Sequence, residues 1–227
     1  MAYESGRLDN DLPTYYKHFF PFKPFTKWLT YNQKPSEYFG RREFAFILAD
    51  DVHIRYKSFT DVLAFEKDLC NIHPHKLDLG AVYNHPPKEH KMHPDMHAVE
   101  RELVFDIDLT DYDNVRGCCS DAKVCPKCWK FVVAAIRILD KVLEQDFGFQ
   151  ARLWVFSGRR GVHCWVGDSK ARKLNNSDRS AIAEYLSIFV KEKAEVTKGK
   201  KKFTWTPPLI SSAYDAVMEG GLFESMV

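Results

Sequence analysis

The sequence predicts a mixed α/β fold, and three observations carry that reading. Short stretches alternate apolar and polar residues as half-buried strands do. Longer stretches repeat apolar residues at helical spacing behind capping residues, and the two kinds are interspersed along the chain. The clearest strand is Glu102-Leu-Val-Phe-Asp-Ile-Asp-Leu. Leu103, Phe105, Ile107 and Leu109 fall on one face; Glu102, Val104, Asp106 and Asp108 fall on the other. Asp106 and Asp108 therefore leave one face about 7 Å apart. That spacing suits two hard divalent cations held about 3.5–4 Å apart for phosphoryl transfer. The plain alternative is a wet acidic strand face.

In chain order, Leu12–Leu29 is an aromatic-rich core segment that Pro21 and Pro24 should break into two short helices. Arg42 to Phe59 reads as a hairpin around Ala49-Asp50-Asp51, with His53, Arg55 and Lys57 on one face of its second strand. Asp61–Ile72 reads as a helix capped by Thr60 or Asp61, burying Val62, Leu63, Phe65, Leu69 and Cys70. Lys76–Tyr83 alternates as a third strand with Lys76, Asp78 and Gly80 sharing a face. The four histidines between His85 and His97 could suggest a metal, but with no cysteine and no tight pairing there the segment is expected to be an exposed loop.

After the acidic strand, a helix from roughly Lys127 to Phe147 buries Val132, Val133, Ile136, Leu139 and Leu143 and stops at Gly148. Arg152–Ser157 and Val162–Val166 form a second hairpin. Ser177 is the expected cap of a helix reaching about Lys193, with Ile182, Tyr185, Leu186 and Phe189 buried. Lys191–Lys202 is a basic linker, and Pro207–Val227 begins another helix. Lys198-Gly-Lys-Lys-Lys reads as a solvated charge run rather than a nuclear address.

Composition is ordinary for a globular protein: 45% hydrophobic, 28% charged and a net charge of +2 over 227 residues. That charge is too small to argue for nucleic acid by itself. No run reaches the roughly 18 apolar residues of a membrane span, and Met1–Asn10 does not resemble a secretory signal. No membrane partner is expected.

Two constellations carry chemistry. Cys118, Cys119, Cys125 and Cys128 lie within eleven residues, and Cys125-Pro-Lys-Cys128 has half-site spacing for tetrahedral zinc. Adjacent cysteines tend to diverge, so three cysteines completed by His or Asp is a variant. A closed site of this kind stabilises a fold rather than catalysing. Cys70 and Cys164 read as core residues. The second constellation is Ser157-Gly-Arg-Arg-Gly-Val-His163, a tight turn bearing a hydroxyl, the Arg159 and Arg160 guanidiniums and an imidazole. Guanidinium forks match phosphate oxygens, and the glycines would let backbone approach a ligand.

These motifs, in this order, resemble the catalytic (small) subunit of eukaryotic DNA primase: the Asp106-Ile-Asp108 strand, the Cys-Cys…Cys-Pro-Lys-Cys-Trp cluster, and Leu153-Trp-Val-Phe-Ser-Gly-Arg-Arg-Gly-Val-His-Cys-Trp-Val. Arg42-Glu43-Phe, Ile54-Arg55-Tyr and Lys76–Tyr83 match as well, so the likeness runs from about Tyr15 to at least Lys193. The resemblance implies a mixed α/β primase catalytic-core fold over 1–193, with an inserted structural zinc knob at about 116–130. A basic linker and the start of a truncated helical region would occupy 194–227.

It further implies DNA-templated synthesis of short RNA primers from nucleoside triphosphates. Asp106 and Asp108 would bind Mg²⁺ or Mn²⁺, and Glu43 matches an active-site acid. Ser157, Arg159, Arg160, His163, Arg55 and Lys76 would contact the nucleotide, and Cys118, Cys119, Cys125 and Cys128 would hold Zn²⁺. Implied partners are the primase large subunit, the DNA polymerase alpha complex and a single-stranded DNA template, in the nucleus. His53 stands where the family often has tyrosine. The family's third metal-binding aspartate would lie beyond Val227, so a fragment, shortened isoform or incomplete gene model is expected. A non-catalytic protein retaining the zinc fold and partner or nucleotide binding is the alternative function.

Overall fold

The computed structural model describes residues 5–187 together with 215, 216 and 218. The basic linker, the later helix and the stretch carrying Phe189 to Lys193 lie outside the described residues, apart from those last three positions. The described chain is a mixed α/β fold. It divides into two compact units, Met1–Arg101 and Glu102–Val227, a division that no break in sequence composition announces.

The first unit opens with α1 (Leu8–His18) and α2 (Phe22–Leu29). Pro21 separates them by standing just before α2, whereas Pro24 lies inside the first turn of α2. It does not break that helix because the first-turn N–H groups have no intrahelical acceptor to lose. After the short α3 (Pro35–Tyr38), β1 (Arg42–Ile47) and β2 (His53–Lys57) form the expected hairpin. Then come α4 (Val62–Ile72), β3 (Lys76–Tyr83) and β4 (Ala98–Glu100), closing an antiparallel sheet of order β2-β1-β3-β4.

Central position buries every residue of β1, Arg42 and Glu43 included. Asp61 caps α4 by accepting from the Ala64 N–H at 2.8 Å. Phe65 on α4 is the hub of the core, with Phe20, Phe22, Phe25, Phe39, Phe44 and Phe59 at ring-centroid distances of 5.2–6.1 Å. Leu63, expected inside, is 75% exposed; it lies two residues from Phe65, which turns it toward the opposite side of the helix. Cys70 packs at the edge of this core.

The second unit contains a three-stranded antiparallel sheet of order β5-β7-β6, formed by β5 (Leu103–Asp108), β6 (Arg152–Phe156) and β7 (Gly161–Val166). The helix α5 (Pro126–Gln145) and the shorter α6 (Ser169–Arg172) and α7 (Asn176–Leu186) accompany it. Phe105, Cys164 and Trp154 lie in register on the core face. Cys164 is fully buried, and burial pushes its thiol up to about 12, in keeping with an inert core cysteine.

Four sequence expectations change here. Glu102 is 1% exposed rather than wet. It precedes the first paired residue of β5, so strand alternation does not govern it, and its carbonyl accepts from Arg179 at 3.0 Å. Leu109 is buried in a 3₁₀ turn, Leu109–Tyr112, not in the strand. The cap of α7 is Asn175, not Ser177: its side chain accepts from the Asp178 N–H at 2.9 Å, and Asp178 reaches back to the Asn175 N–H. Tyr185 is 45% exposed.

Candidate functional site

Pairing of β5 with β7 aligns Asp106 with His163 and Asp108 with Gly161. Side chains directly opposite in an antiparallel pair share a face, so Asp106 and His163 stand together on the face away from Cys164. His163 Nε2 lies 3.4 Å from Asp106 Oδ1, and the Asp106 side chain is 71% exposed. That exposure leaves its oxygens open to water or a cation.

Asp108 sits in a different environment. Arg160, at the tip of the β6–β7 hairpin, places Nε 2.8 Å and 2.7 Å from the two Asp108 oxygens. The Thr110 N–H and hydroxyl also donate to Asp108, at 2.9 and 2.8 Å. Partial burial alone would raise the Asp108 pKa. The Thr110 N–H, the Arg160 guanidinium and the Thr110 hydroxyl outweigh it and hold the carboxyl down at about 2. Thr110 was not singled out from the sequence, although an Asp followed two residues later by a residue able to close an Asx turn is a readable signal.

The two glycines of the hairpin turn meet backbone demands. Gly158 takes a φ of +90°, a region costly for L side chains. Gly161 lies so close to β5 that a Cβ would stand 2.1 Å from the Ile107 carbonyl oxygen. Ser157 closes the same turn: its hydroxyl donates to the Gly161 carbonyl at 3.0 Å and accepts from the Gly161 N–H at 3.1 Å. Arg159 is exposed at the tip.

Downstream of β5, one ligand atom from each of Cys118, Cys119, Cys125 and Cys128 lies within 4.8 Å of the others. Both adjacent cysteines contribute, because they occupy an irregular segment where no strand geometry drives neighbours apart. Cys125 and Cys128 sulfurs are 3.9 Å apart. A tetrahedral site with Zn–S bonds of about 2.3 Å needs sulfurs roughly 3.8 Å apart, so the donor set fits such an ion. Cys125 is the N-cap of α5, where free N–H groups favour anions. The backbone N–H of Cys128, with help from the Cys118 and Cys119 thiols, brings the Cys125 thiol down to about 6 against the opposing effect of burial. The Cys119 thiol, hydrogen-bonded to Cys125 and partly desolvated, is pushed up to about 12.

Arg116, which the sequence did not flag, ties this segment together. Only 4% exposed, it donates to Asp113 and to the carbonyls of Lys123 and Asp121 at 2.9 and 2.6 Å, and it approaches the Cys128 sulfur at 3.9 Å.

The expected active-site acid Glu43 and the expected nucleotide contacts Arg55 and Lys76 belong to the first unit. Glu43 is buried, with its side chain 6% exposed, and accepts from Arg55 at 3.2 Å, from the Tyr56 N–H at 3.4 Å and from the Tyr83 hydroxyl at 3.2 Å. Gly80 makes room for it, since a Cβ there would lie 2.8 Å from Glu43 Cβ. Burial and then the Glu43 charge raise the Tyr83 pKa. Lys76 pairs at 3.0 Å with Asp51 of the β1–β2 turn, both largely exposed. Tyr83 and Asp51 were not anticipated, because only tertiary pairing brings them to these partners.

Taken together, fold and site define a mixed α/β protein whose sheet presents two carboxylates to a histidine and an arginine, beside a four-sulfur cluster suited to a metal. The family model described as DNA primase small subunit matches residues 105–219, and the chain belongs to that family. It is 63% identical to the DNA primase small subunit of Caenorhabditis elegans over all of this chain and 56% of that protein. The Drosophila melanogaster counterpart is 50% identical over 82% of this chain and 43% of its own length. That of Saccharomyces cerevisiae is 42% identical over 81% and 46%. The chain thus spans about half the length of these curated relatives.

Proposed function

We propose that this chain carries the catalytic centre of a DNA primase, which joins ribonucleoside triphosphates on a single-stranded DNA template to make short RNA primers. The observation that carries this reading is the alignment of Asp106 and Asp108 on β5 with His163 and Arg160 of the neighbouring hairpin. Acidic oxygens for cations and charged donors for phosphates thereby occupy one end of one sheet.

Asp106 and Asp108 fit hard divalent cations by donor type and shared face, and Asp108 stays anionic throughout the physiological range. Bound Mg²⁺ or Mn²⁺ would supply activation of the attacking hydroxyl and neutralisation of the triphosphate. Arg160, Arg159 and His163 bind triphosphate oxygens, with Arg160 exchanging one anion, Asp108, for another. Ser157 holds the turn in shape. Glu43 fixes Arg55 for a nucleotide contact, and Lys76 supplies a further cation. Cys118, Cys119, Cys125 and Cys128 would hold Zn²⁺, which would stabilise residues 116–130. As partners of this chain we propose the large subunit and the DNA polymerase alpha complex, and as its location the nucleus.

The test is primer synthesis on poly-dT with ATP and Mn²⁺ by this chain combined with the large subunit. Asp106→Ala and Asp108→Ala should each abolish product, with at least a hundredfold loss. Undiminished synthesis by both variants would overturn the assignment.

A further inference from the structure

The loop between β3 and β4 contains His85, His90, His93 and His97, and the structure divides them into two kinds. His97 Nδ1 lies 2.9 Å from the Asp95 carbonyl oxygen. His90 Nδ1 lies 3.1 Å from that of Pro87, and its ring stacks on Tyr56 at 4.0 Å. These two hold the loop together. His85 and His93 instead face each other, with centroids 3.8 Å apart and planes 3° from parallel. His85 Nε2 is 3.2 Å from Asp95 Oδ2, and His93 Nε2 is 3.6 Å from Glu89 Oε2. One ligand atom each from His85, His93 and Asp95 falls within a 4.8 Å group. The tight pairing that the sequence does not show is therefore present.

The scaffold is stiff where it needs to be. Asn84 clamps both ends of the loop. It accepts from the His97 N–H at 2.9 Å, donates its own N–H to the His97 carbonyl at 3.1 Å, and reaches the Asp95 carbonyl at 3.3 Å through its side-chain amide. Pro86, Pro87 and Pro94 restrict the backbone on both sides of the histidines. A ligand set held this way loses little conformational freedom on binding an ion.

We propose that His85, His93 and Asp95 form a binding site for a zinc-class divalent ion, with Glu89 placed to supply an oxygen as the fourth donor. Imidazole nitrogen with carboxylate oxygen is a donor set that suits Zn²⁺. At Zn–N bonds of about 2.0–2.1 Å, tetrahedral donors stand roughly 3.3 Å apart, a separation His85 and Asp95 already have. Because a metal lies in the plane of each ligating ring, one imidazole swings out of the stack to complete the site. The ion pins the loop, and through His90 on Tyr56 it steadies the strand carrying Arg55, whose guanidinium lies 5.0 Å from the Tyr56 ring.

The test compares the 227-residue chain with its His85→Ala/His93→Ala form, both dialysed against the same micromolar zinc and assayed for bound metal. The proposal expects the unmodified chain to hold one equivalent more. The difference does not depend on what the four cysteines bind. Equal stoichiometry in folded proteins would overturn the site. A second measurement needs no variant: ring-nitrogen NMR of the unmodified chain during zinc addition. His85 and His93 should shift together while His90 and His97 stay in place. Unmoved His85 and His93 signals at saturating zinc would also overturn it.

Discussion

The Arg160 Nε stands within 2.8 Å of both carboxylate oxygens of Asp108. A residue expected to grip phosphate and a residue expected to grip metal thus hold each other. The pairing places Arg160 beside the carboxylates, at the proposed triphosphate site, and holds the Asp108 carboxyl ionised near neutral pH.

Removing that guanidinium has a predictable electrostatic effect. In Arg160→Gln the Asp108 carboxyl should titrate between about 2 and its ordinary 3.8, because both Thr110 donors remain. Carboxyl-carbon NMR across an acid titration reads this directly. The sign for stability follows from the depressed folded value. Asp108 contributes fully above about pH 4 and loses its contribution as pH falls toward 2. Arg160→Gln should therefore flatten the stability profile in that window and leave it unchanged in shape near neutrality.

The hairpin glycines should respond unequally to alanine. Gly158→Ala has open space around its Cβ and pays only for a left-handed φ, about 1–2 kcal/mol. Gly161→Ala drives a Cβ to 2.1 Å from the Ile107 carbonyl, so β5 and β7 must separate next to Asp108. Denaturant midpoints should show Gly161→Ala as the more damaging change by at least 2 kcal/mol.

Much of this architecture was legible because it is local. Alternation in β5, the hairpin punctuation at Gly158 and Gly161, and the Cys125–Cys128 spacing are properties of a few consecutive residues. What escaped is non-local. Nothing near Arg116 announces that it will donate to two carbonyls of a later loop, and nothing in β1 says that a central position will bury Glu43 against Tyr83. The face given to Glu102 failed where the strand had not yet begun. The packing demand on Gly161 was hidden because the neighbour requiring its small size is a backbone carbonyl 54 residues earlier in the chain, at Ile107.

The cysteine cluster should show ordered thiol reactivity once chelated free of metal. With Cys125 near 6 and Cys119 near 12, iodoacetamide at pH 7 should label Cys125 at least tenfold faster than Cys119, and Cys125 labelling should fall as pH drops below 6. Peptide mass spectrometry resolves the two sites. Prior loading with one equivalent of zinc should suppress both.

On the proposed function, Asp106 and Asp108 with Arg160 and His163 make one metal-dependent triphosphate site. Calorimetric titration of ATP into the 227-residue chain, with and without Mn²⁺, tests it most directly. Mn²⁺ should strengthen ATP binding at least tenfold in the unmodified chain and have no effect in Asp106→Ala. ATP binding that ignores both Mn²⁺ and the loss of Asp106 would contradict the account.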